Sequence, residues 1–177
     1  MGISGVAGRL EGKVCVITGT GGSMGRAAAL TFAREGALVV GCDVAVDPAA
    51  ETVDLVQAAG GQMVSLQPCR VSDPAECPRL VDLAISSYGR IDVLYNLAAR
   101  SHFNRLEDFG DADWEAARRD EVDLVFYLTR AAAWKEGCIV TGRRDRRGSA
   151  QNEARIRAQL QLLVAGVGHL APAERAT

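Results

Sequence analysis

Residues 13–25 read Lys-Val-Cys-Val-Ile-Thr-Gly-Thr-Gly-Gly-Ser-Met-Gly, and this stretch decides the fold. Its first half is a short apolar run of the kind that forms a strand buried on both faces. Its second half is a glycine-dense turn that leads into an alanine-rich helical segment. A strand that passes through such a turn into a helix presents backbone N–H groups and the positive end of a helix dipole to a phosphate. The stretch therefore predicts a site for a nucleotide pyrophosphate at the start of the first helix.

Strand and helix patterns alternate along the chain. Strands are predicted at residues 14–18, 38–43, 62–67, 91–95 and 138–141, and helices at residues 23–35, 48–59, 73–88 and 113–134. Repeated strand–helix units imply a parallel sheet with right-handed connections and helices on both faces. The predicted fold class is a doubly wound α/β domain of Rossmann type, with a sheet that is incomplete at its C-terminal end. Ligands of such sheets bind beyond the carboxyl ends of the strands.

Length and composition are those of an ordinary globular chain. Its 177 residues suffice for one domain with a core, and 48% hydrophobic with 24% charged residues is typical of soluble proteins. A net charge of −2 argues against a nucleic-acid partner, and no apolar run is long enough to span a membrane. The N-terminus lacks the order of a secretion signal. We therefore expect a cytoplasmic protein without a nucleic-acid or membrane partner.

The 5 cysteines are scattered through predicted strands and loops and form no Cys-x-x-Cys pair. This arrangement favours buried, reduced thiols over disulfides or a metal site. We therefore assign no metal ligands.

Two further features support the pyrophosphate site. Asp43 ends the second predicted strand 18 residues after Gly25, close to the spacing expected for an acid that binds the adenosine ribose. Asn96 and Ala98 follow the fourth predicted strand, at the edge where a cofactor would lie. The alternative is that the glycines only make a tight turn and that Asp43 only ends a strand.

These residues resemble the short-chain dehydrogenase/reductase family. Its members carry Thr-Gly-x-x-x-Gly-x-Gly, and residues 18–25 here read Thr-Gly-Thr-Gly-Gly-Ser-Met-Gly, with Ser23 at the middle glycine. The family's Asn-Asn-Ala-Gly appears as Asn-Leu-Ala-Ala at residues 96–99. Asp92, Trp114 and residues 137–140 also match the family pattern. The resemblance covers roughly residues 9–140.

The resemblance implies an oxidoreductase that transfers hydride between NAD(H) and a small carbonyl or alcohol substrate, and it leaves a homo-oligomer open. The cofactor contacts that it implies are Gly19, Gly21, Ser23, Met24, Gly25, Asp43, Val71, Asn96 and Ala98. An acid at position 43 repels a 2′-phosphate, so NAD is expected in preference to NADP. Ser23 is expected to crowd the pyrophosphate and weaken binding. Arg70 replaces the family's acid ahead of the valine, and either stacks on adenine or lies in solvent.

The family's catalytic Asn, Ser, Tyr and Lys are not found in this sequence. The asparagine position falls on Glu121 and the serine position falls near Arg144. Neither of the two lysines, Lys13 and Lys135, follows a tyrosine by four positions. No catalytic residue is therefore assigned, and catalysis is expected to be impaired. His102 follows the fourth strand and either faces substrate or is solvated.

Residues 141–177 differ in composition and charge from the rest of the chain. They hold 7 arginines, no lysine and 3 acids, whereas residues 1–140 hold 13 basic and 19 acidic residues. GC-rich genes give arginine-rich runs like residues 141–150 when they are translated out of frame, so we hypothesise a frameshifted or truncated family member. An apolar stripe predicts an amphipathic helix in this tail: Ile156, Leu160, Leu163, Val164 and Val167.

The whole chain, residues 1–177, is predicted to form a single dinucleotide-binding domain. Two alternatives to an oxidoreductase remain at this point. One is a non-catalytic dinucleotide-binding or regulatory protein, and the other is a gene remnant without a stable product.

Overall fold

The structure, a computed structural model, describes residues 8–136 of the chain. These residues belong to one compact unit. The predicted fifth strand, the helix of the arginine-rich tail and the extension of a single domain to residue 177 fall outside the described residues and stay predictions. Among the helices of the described part, none is long and apolar enough to cross a membrane.

Parallel strands and α-helices alternate over the described residues. The strands are β1 (Val14–Thr18), β2 (Leu38–Cys42), β3 (Gln62–Leu66) and β4 (Val93–Tyr95), and the helices are α1 (Ser23–Arg34), α2 (Val46–Ala58), α3 (Cys77–Tyr88), α4 (Asp111–Arg118) and α5 (Leu124–Glu136). The order in the sheet is β3-β2-β1-β4, and every neighbouring pair is parallel. The chain moves outward from β1 to β3 and then returns to the other side of β1, which confirms the doubly wound Rossmann-type sheet.

Alternate residues of β1 face two separate hydrophobic cores. Val14 and Val16 lie in the core shared with α3 and α5. Cys15 and Ile17 lie in the core shared with α1 and α2. All residues of β1 are buried, as expected for a strand covered by helices on both faces.

Asp92 joins the beginnings of β1 and β4. Its Oδ2 accepts the backbone N–H of Val14 at 2.9 Å and the Nε–H of Arg90 at 2.7 Å, and Lys13 Nζ lies 3.8 Å from its Oδ1. Burial opposes ionisation of Asp92, but these hydrogen bonds and positive charges outweigh it and lower the pKa of the carboxyl group. The β4 ladder begins at Val93, two residues later than the sequence predicts, because Asp92 is engaged in this junction.

The helix predicted from residue 73 begins at Cys77 instead. Asp73 Oδ1 accepts the N–H of Ala75 at 2.9 Å, and the Asp73 carbonyl accepts the N–H of Glu76 at 3.1 Å. These bonds make a local turn rather than a helix cap. Pro78 lies in the first helical turn, where its missing N–H removes no intrahelical bond.

The single long helix predicted over residues 113–134 is interrupted in the structure. It begins at Asp111, passes through a π-helical turn at Arg119–Asp123 and continues as α5. In this turn Asp120 is only 9% exposed, and its carbonyl accepts the N–H of Arg100 at 3.3 Å. The apolar pattern does not reveal the interruption because a π turn adds only one residue to the helical repeat.

Candidate functional site

A cleft of about 540 Å³ opens at the carboxyl ends of the strands. Its wall consists of Gly19 and residues 21–25 after β1, residues 42–45 at the end of β2, residues 69–72 after β3 and residues 97–100 after β4. Asp120 and Leu124 close the far side. The cleft therefore lies where the strand order reverses beside β1, which is where ligands bind in sheets of this kind.

Two glycines allow the turn after β1 to approach its neighbours closely. Gly19 has a φ of 78°, and a Cβ at this position would lie 3.1 Å from the Cα of Ala98. A Cβ at Gly25 would overlap the carbonyl of Gly19, because the first turn of α1 packs directly on the end of the strand. At Gly22, by contrast, a Cβ would meet only the Gly19 carbonyl oxygen at 3.5 Å, which is ordinary contact. Gly19 and Gly25 are thus required by the backbone itself.

The N-terminal turn of α1 forms one wall of the cleft. The helix begins at Ser23 with Gly22 as its N-cap, and no side chain caps this turn. Ser23 and Met24 line the cleft, and Met24 is 70% exposed. An uncapped helix N-terminus offers N–H donors and positive potential, so this wall is suited to a phosphate or another anion.

Asp43 connects the glycine turn with the loop after β2. Its Oδ2 accepts the N–H of Gly21 and its Oδ1 accepts the N–H of Ala45, both at 2.8 Å. A Cβ at Gly21 would lie 3.0 Å from Asp43 Oδ2, so a glycine permits this approach. Each carboxylate oxygen has a second lone pair, and Asp43 can still accept hydrogen bonds from ribose hydroxyls.

Thr18 holds the chain that leaves β4 against the end of β1. Its buried hydroxyl oxygen accepts the N–H groups of Leu97 and Ala98, both at 2.9 Å. Asn96 is not among the residues that line the cleft: its Nδ2 is 3.5 Å from Thr129 Oγ1, and its buried Oδ1 has no partner among the described residues. Every predicted cofactor residue except Asn96 lines the cleft. A role for Asn96 toward a cofactor stays a prediction.

A histidine–aspartate contact borders the far side of the cleft. His102 Nε2 lies 3.1 Å from Asp120 Oδ2, and the two side chains are 22% and 12% exposed. His102 is therefore packed against the π-helical turn and is not a freely solvated residue. Sequence analysis missed Asp120, because its contact with His102 joins two segments that lie 18 residues apart in the chain.

Three buried cysteines lie beneath the β2–β3 side of the cleft. Cys42 and Cys69 are 1% and 3% exposed. Interaction with Cys69 and burial raise the pKa of the Cys42 thiol, whereas interaction with Cys42 lowers the pKa of the Cys69 thiol. Cys77 donates its S–H to the carbonyl of Val71 at 3.4 Å, and burial raises its pKa to about 11.

The prediction of buried thiols is confirmed for Cys15, Cys42, Cys69 and Cys77, while Cys138 is outside the described residues. Within residues 8–136, no group of His, Cys, Asp and Glu side chains is arranged to hold a metal ion.

Glu121, on which the family's asparagine position is predicted to fall, does not line the cleft. It is exposed and lines a separate apolar groove along α5 together with Val125 and Phe126. The position near Arg144 falls beyond the described residues.

Comparison with known proteins agrees with this architecture. The profile of the short chain dehydrogenase family matches residues 13–141. The 7alpha-hydroxysteroid dehydrogenase of Escherichia coli K12 is 37% identical over 125 residues, which cover 71% of this chain and 48% of that enzyme. The 2-dehydro-3-deoxy-D-gluconate 5-dehydrogenase of the same strain is 35% identical over 124 residues, covering 70% of this chain and 48% of that enzyme. This chain thus spans about half the length of the curated relatives that it matches.

Solved structures give the same result. The crystal structure of a hydroxysteroid dehydrogenase from Escherichia coli superposes with a TM-score of 0.67 at 37% identity, covering 71% of this chain and 52% of that one. A short chain dehydrogenase from Mycobacterium smegmatis superposes with a TM-score of 0.68 at 29% identity, covering 72% of this chain and 53% of that one. The glycine turn, the parallel sheet and the cleft are thus found in a chain that belongs to the short-chain dehydrogenase/reductase family.

Proposed function

We propose that this chain binds NAD(H) in the cleft as the nucleotide-binding part of an oxidoreductase acting on a small carbonyl or alcohol substrate. The observation that carries the proposal is the meeting of three features at the reversal of the strand order: the glycine turn, the uncapped N-terminus of α1 and the carboxylate of Asp43. The dehydrogenase relatives favour an oxidoreductase over a non-catalytic binding protein.

The residues of the cleft fit a dinucleotide. Gly19 and Gly25 keep the turn free of side chains, and a Cβ at either position would collide with or crowd the neighbouring backbone. The first turn of α1 would stabilise the charge of the pyrophosphate. When bound, the nicotinamide ring supplies the carbon that gives or takes the hydride. The Ala98 wall, held by the Thr18 hydroxyl, would orient that end of the cofactor.

Asp43 would select NAD rather than NADP. Its carboxylate accepts hydrogen bonds from the ribose hydroxyls but repels a 2′-phosphate, which carries close to two negative charges. The exposed Val44 that follows offers no positive charge to compensate this repulsion. We expect NADH to bind more tightly than NADPH for this reason.

Catalysis by this sequence is expected to be weak or missing. The family's tyrosine is the general acid and base, and its lysine lowers the pKa of that tyrosine. No tyrosine of this chain has a lysine four positions later, because Tyr88, Tyr95 and Tyr127 are followed at that spacing by Asp92, Ala99 and Ala131. Residues 1–177 would therefore not supply the family's usual proton donor to a bound cofactor.

Titration of the purified chain with NADH and with NADPH, followed by nicotinamide fluorescence, tests the proposal. We expect saturable binding with NADH preferred. The double variant Asp43→Asn/Val44→Arg removes the repulsion of the 2′-phosphate and adds a positive charge, so it should narrow or reverse the preference for NADH over NADPH. Asp47→Asn, at an exposed position of α2, should leave that preference unchanged. Equal affinity of the unaltered chain for both cofactors would contradict the role of Asp43, and no binding of either would contradict the function. Turnover of bound NADH with a panel of small ketones then measures the remaining activity.

A further inference from the structure

We propose that Thr52 and Arg26 are positioning residues that hold the carboxylate of Asp43 in the orientation that favours NAD(H) over NADP(H). The inference rests on the proposed function, because both residues would act on a bound dinucleotide only through Asp43. Neither Thr52 nor Arg26 is among the residues that line the cleft. Thr52 is fully buried in the middle of α2, and Arg26 lies near the start of α1. Their effect is therefore carried by hydrogen bonds.

The peptide bond between Thr20 and Gly21 is held from both sides. Its carbonyl oxygen accepts the hydroxyl proton of Thr52 at 2.8 Å, and its N–H donates to Asp43 Oδ2 at 2.8 Å. The C=O and N–H of a planar trans peptide point in opposite directions, so a bond that fixes the carbonyl also fixes the direction of the N–H. Thr52 in α2 and Asp43 after β2 are thus coupled through a single peptide plane.

The hydroxyl of Thr52 has one proton and two carbonyl acceptors. The carbonyl oxygen of Thr20 lies 2.8 Å away and that of Pro48 lies 3.0 Å away. A threonine inside a helix often gives its proton to the carbonyl four residues earlier, which here is Pro48. Because a hydroxyl donates one hydrogen bond at a time, the bond to Thr20 is favoured when another donor serves Pro48.

Arg26 is that other donor. Its Nη2 donates to the carbonyl of Pro48 at 3.3 Å, and its Nε donates to Thr52 Oγ1 at 3.1 Å. The first bond satisfies Pro48, and the second occupies a lone pair of the Thr52 hydroxyl, so the proton of that hydroxyl is directed to the turn after β1. Glu51 holds the guanidinium in place, because its Oε2 accepts a hydrogen bond from Nη2 at 2.6 Å.

The carboxylate of Asp43 depends on this peptide for its only support from outside its own loop. Its other bond, from the N–H of Ala45 at 2.8 Å, comes from two residues later in the same loop and moves with it. Without a fixed Gly21 N–H, the carboxylate would turn more freely, which weakens both its bond to a ribose hydroxyl and its repulsion of a 2′-phosphate. We therefore expect NADH to lose affinity while NADPH loses little.

Thr52→Val tests the proposal in the full chain, because it keeps the shape of the side chain and removes the hydroxyl. Titration with NADH and with NADPH, followed by nicotinamide fluorescence, measures both dissociation constants. We expect the constant of NADH to rise by about tenfold and that of NADPH by less than about threefold. Thr52→Ser retains the hydroxyl and should keep the preference for NADH. An equal loss of affinity for both cofactors, or no loss for either, would overturn the proposal.

Arg26→Lys tests whether the guanidinium acts through its geometry. Lysine keeps the positive charge beside Glu51 but lacks the planar fork that reaches Pro48 and Thr52 together. We expect this variant to narrow the preference for NADH as Thr52→Val does, and the double variant to narrow it no further, since both changes act on one peptide. Unchanged selectivity of Arg26→Lys, or additive effects in the double variant, would refute the role of Arg26. The side chain of Arg26 is 28% exposed, so this variant also serves if Thr52→Val does not fold.

Val56→Ala separates positioning from a general loss of stability. Val56 is buried one turn later in the same helix and makes none of these hydrogen bonds, so its truncation should destabilise the protein without changing the preference for NADH. A narrowed preference in Val56→Ala would show that weaker packing of α2 is enough, and the proposal would fail.

Hydrogen exchange of the Gly21 amide, measured by NMR without cofactor, separates the proposal from the proposed function. We expect faster exchange in Thr52→Val than in Val56→Ala or the unaltered chain, because the Gly21 N–H loses its fixed direction. Equal exchange in all three proteins would overturn the link between Thr52 and Asp43. If the unaltered chain binds neither cofactor and Thr52→Val still exchanges faster, the hydrogen-bonded link stands and the proposed function is rejected.

Discussion

The Oδ2 atom of Asp43 lies 2.8 Å from the backbone nitrogen of Gly21, so the residue suited to the adenosine ribose also holds the glycine turn in place. In the complex that we propose, one carboxylate would therefore couple the binding of ribose to the geometry of the phosphate site. Asp43→Asn keeps one acceptor oxygen for the N–H of Gly21, whereas Asp43→Ala removes both.

Gly25→Ala should damage the site through the backbone. The new Cβ would overlap the Gly19 carbonyl, so α1 must move away from the end of β1. We expect the free energy of unfolding to fall by about 1–3 kcal/mol and NADH binding to be lost. Chemical denaturation and fluorescence titration measure these effects. The control for stability is Gly22→Ala, where the Cβ has room in the protein, and an equal fall in the free energy of unfolding of both variants would contradict the steric explanation.

Thr18→Val should loosen the wall that contains Ala98. The substitution keeps the shape of the side chain but removes the oxygen that accepts the N–H groups of Leu97 and Ala98. A buried N–H group that loses its acceptor lowers the free energy of unfolding by about 1–3 kcal/mol. Urea denaturation should show this loss for Thr18→Val and a smaller loss for Thr18→Ser, which retains the hydroxyl and removes only a buried methyl group. Equal stability of both variants would mean that water or another acceptor replaces Thr18.

Asp92→Asn should destabilise the protein at neutral pH and much less in acid. Because the pKa of Asp92 is lowered in the folded state, its contribution is present above the unfolded value near 3.8 and is lost as pH falls through the folded pKa. At neutral pH we expect a loss of about 1 kcal/mol, since asparagine keeps one acceptor for Val14 but loses the charge-assisted bond from Arg90. Urea denaturation from pH 7 to pH 3 measures the difference in the free energy of unfolding between Asp92→Asn and the unaltered protein, with Asp54→Asn at an exposed position as the control. A difference that grows as the pH falls would contradict this explanation.

Ser23→Gly should strengthen dinucleotide binding. Ser23 lines the cleft at the first position of α1, and its side chain occupies space beside the expected pyrophosphate. Removing it should lower the dissociation constant of NADH by about threefold. Ser23→Ala separates the effect of the Cβ from that of the hydroxyl, because it retains the Cβ and removes only the hydroxyl. Weaker binding by Ser23→Gly would indicate that the hydroxyl contributes a hydrogen bond to the ligand.

The coding DNA offers a direct test of the frameshift hypothesis. If the arginine-rich residues 141–150 arise from a shift of frame, the alternative frame should encode a serine and a Tyr-x-x-x-Lys pair after residue 140. Sequencing from codon 125 past the stop codon measures this. Stop codons throughout the other frames would reject the hypothesis.

The sequence predicts the fold and most of the cleft because both depend on local patterns. The apolar run before Gly19 is short and ends in a glycine turn, which favours a buried strand. Gly25 and Asp43 follow this strand at the distances along the chain that the turn and the second strand require. The position of Asn96 outside the cleft lining was not predictable, because Asn96 contacts Thr129 in α5, which is distant in sequence. The His102–Asp120 contact and the neighbouring positions of Cys42 and Cys69 in the cleft wall also involve segments that are distant in sequence, so hydrophobic periodicity does not predict them.

The π-helical turn at Arg119–Asp123 fixes the rotational phase of α5. A π turn accommodates one extra residue within an α-helix, so a chain one residue shorter at this turn could close it into an ordinary α-helical turn. Leu124 and Leu128 would then keep their places in the core, whereas Asp120 would lose the bulge that displaces it from the regular helix. A single-codon deletion in this turn would thus act on the far side of the cleft and spare the packing of α5.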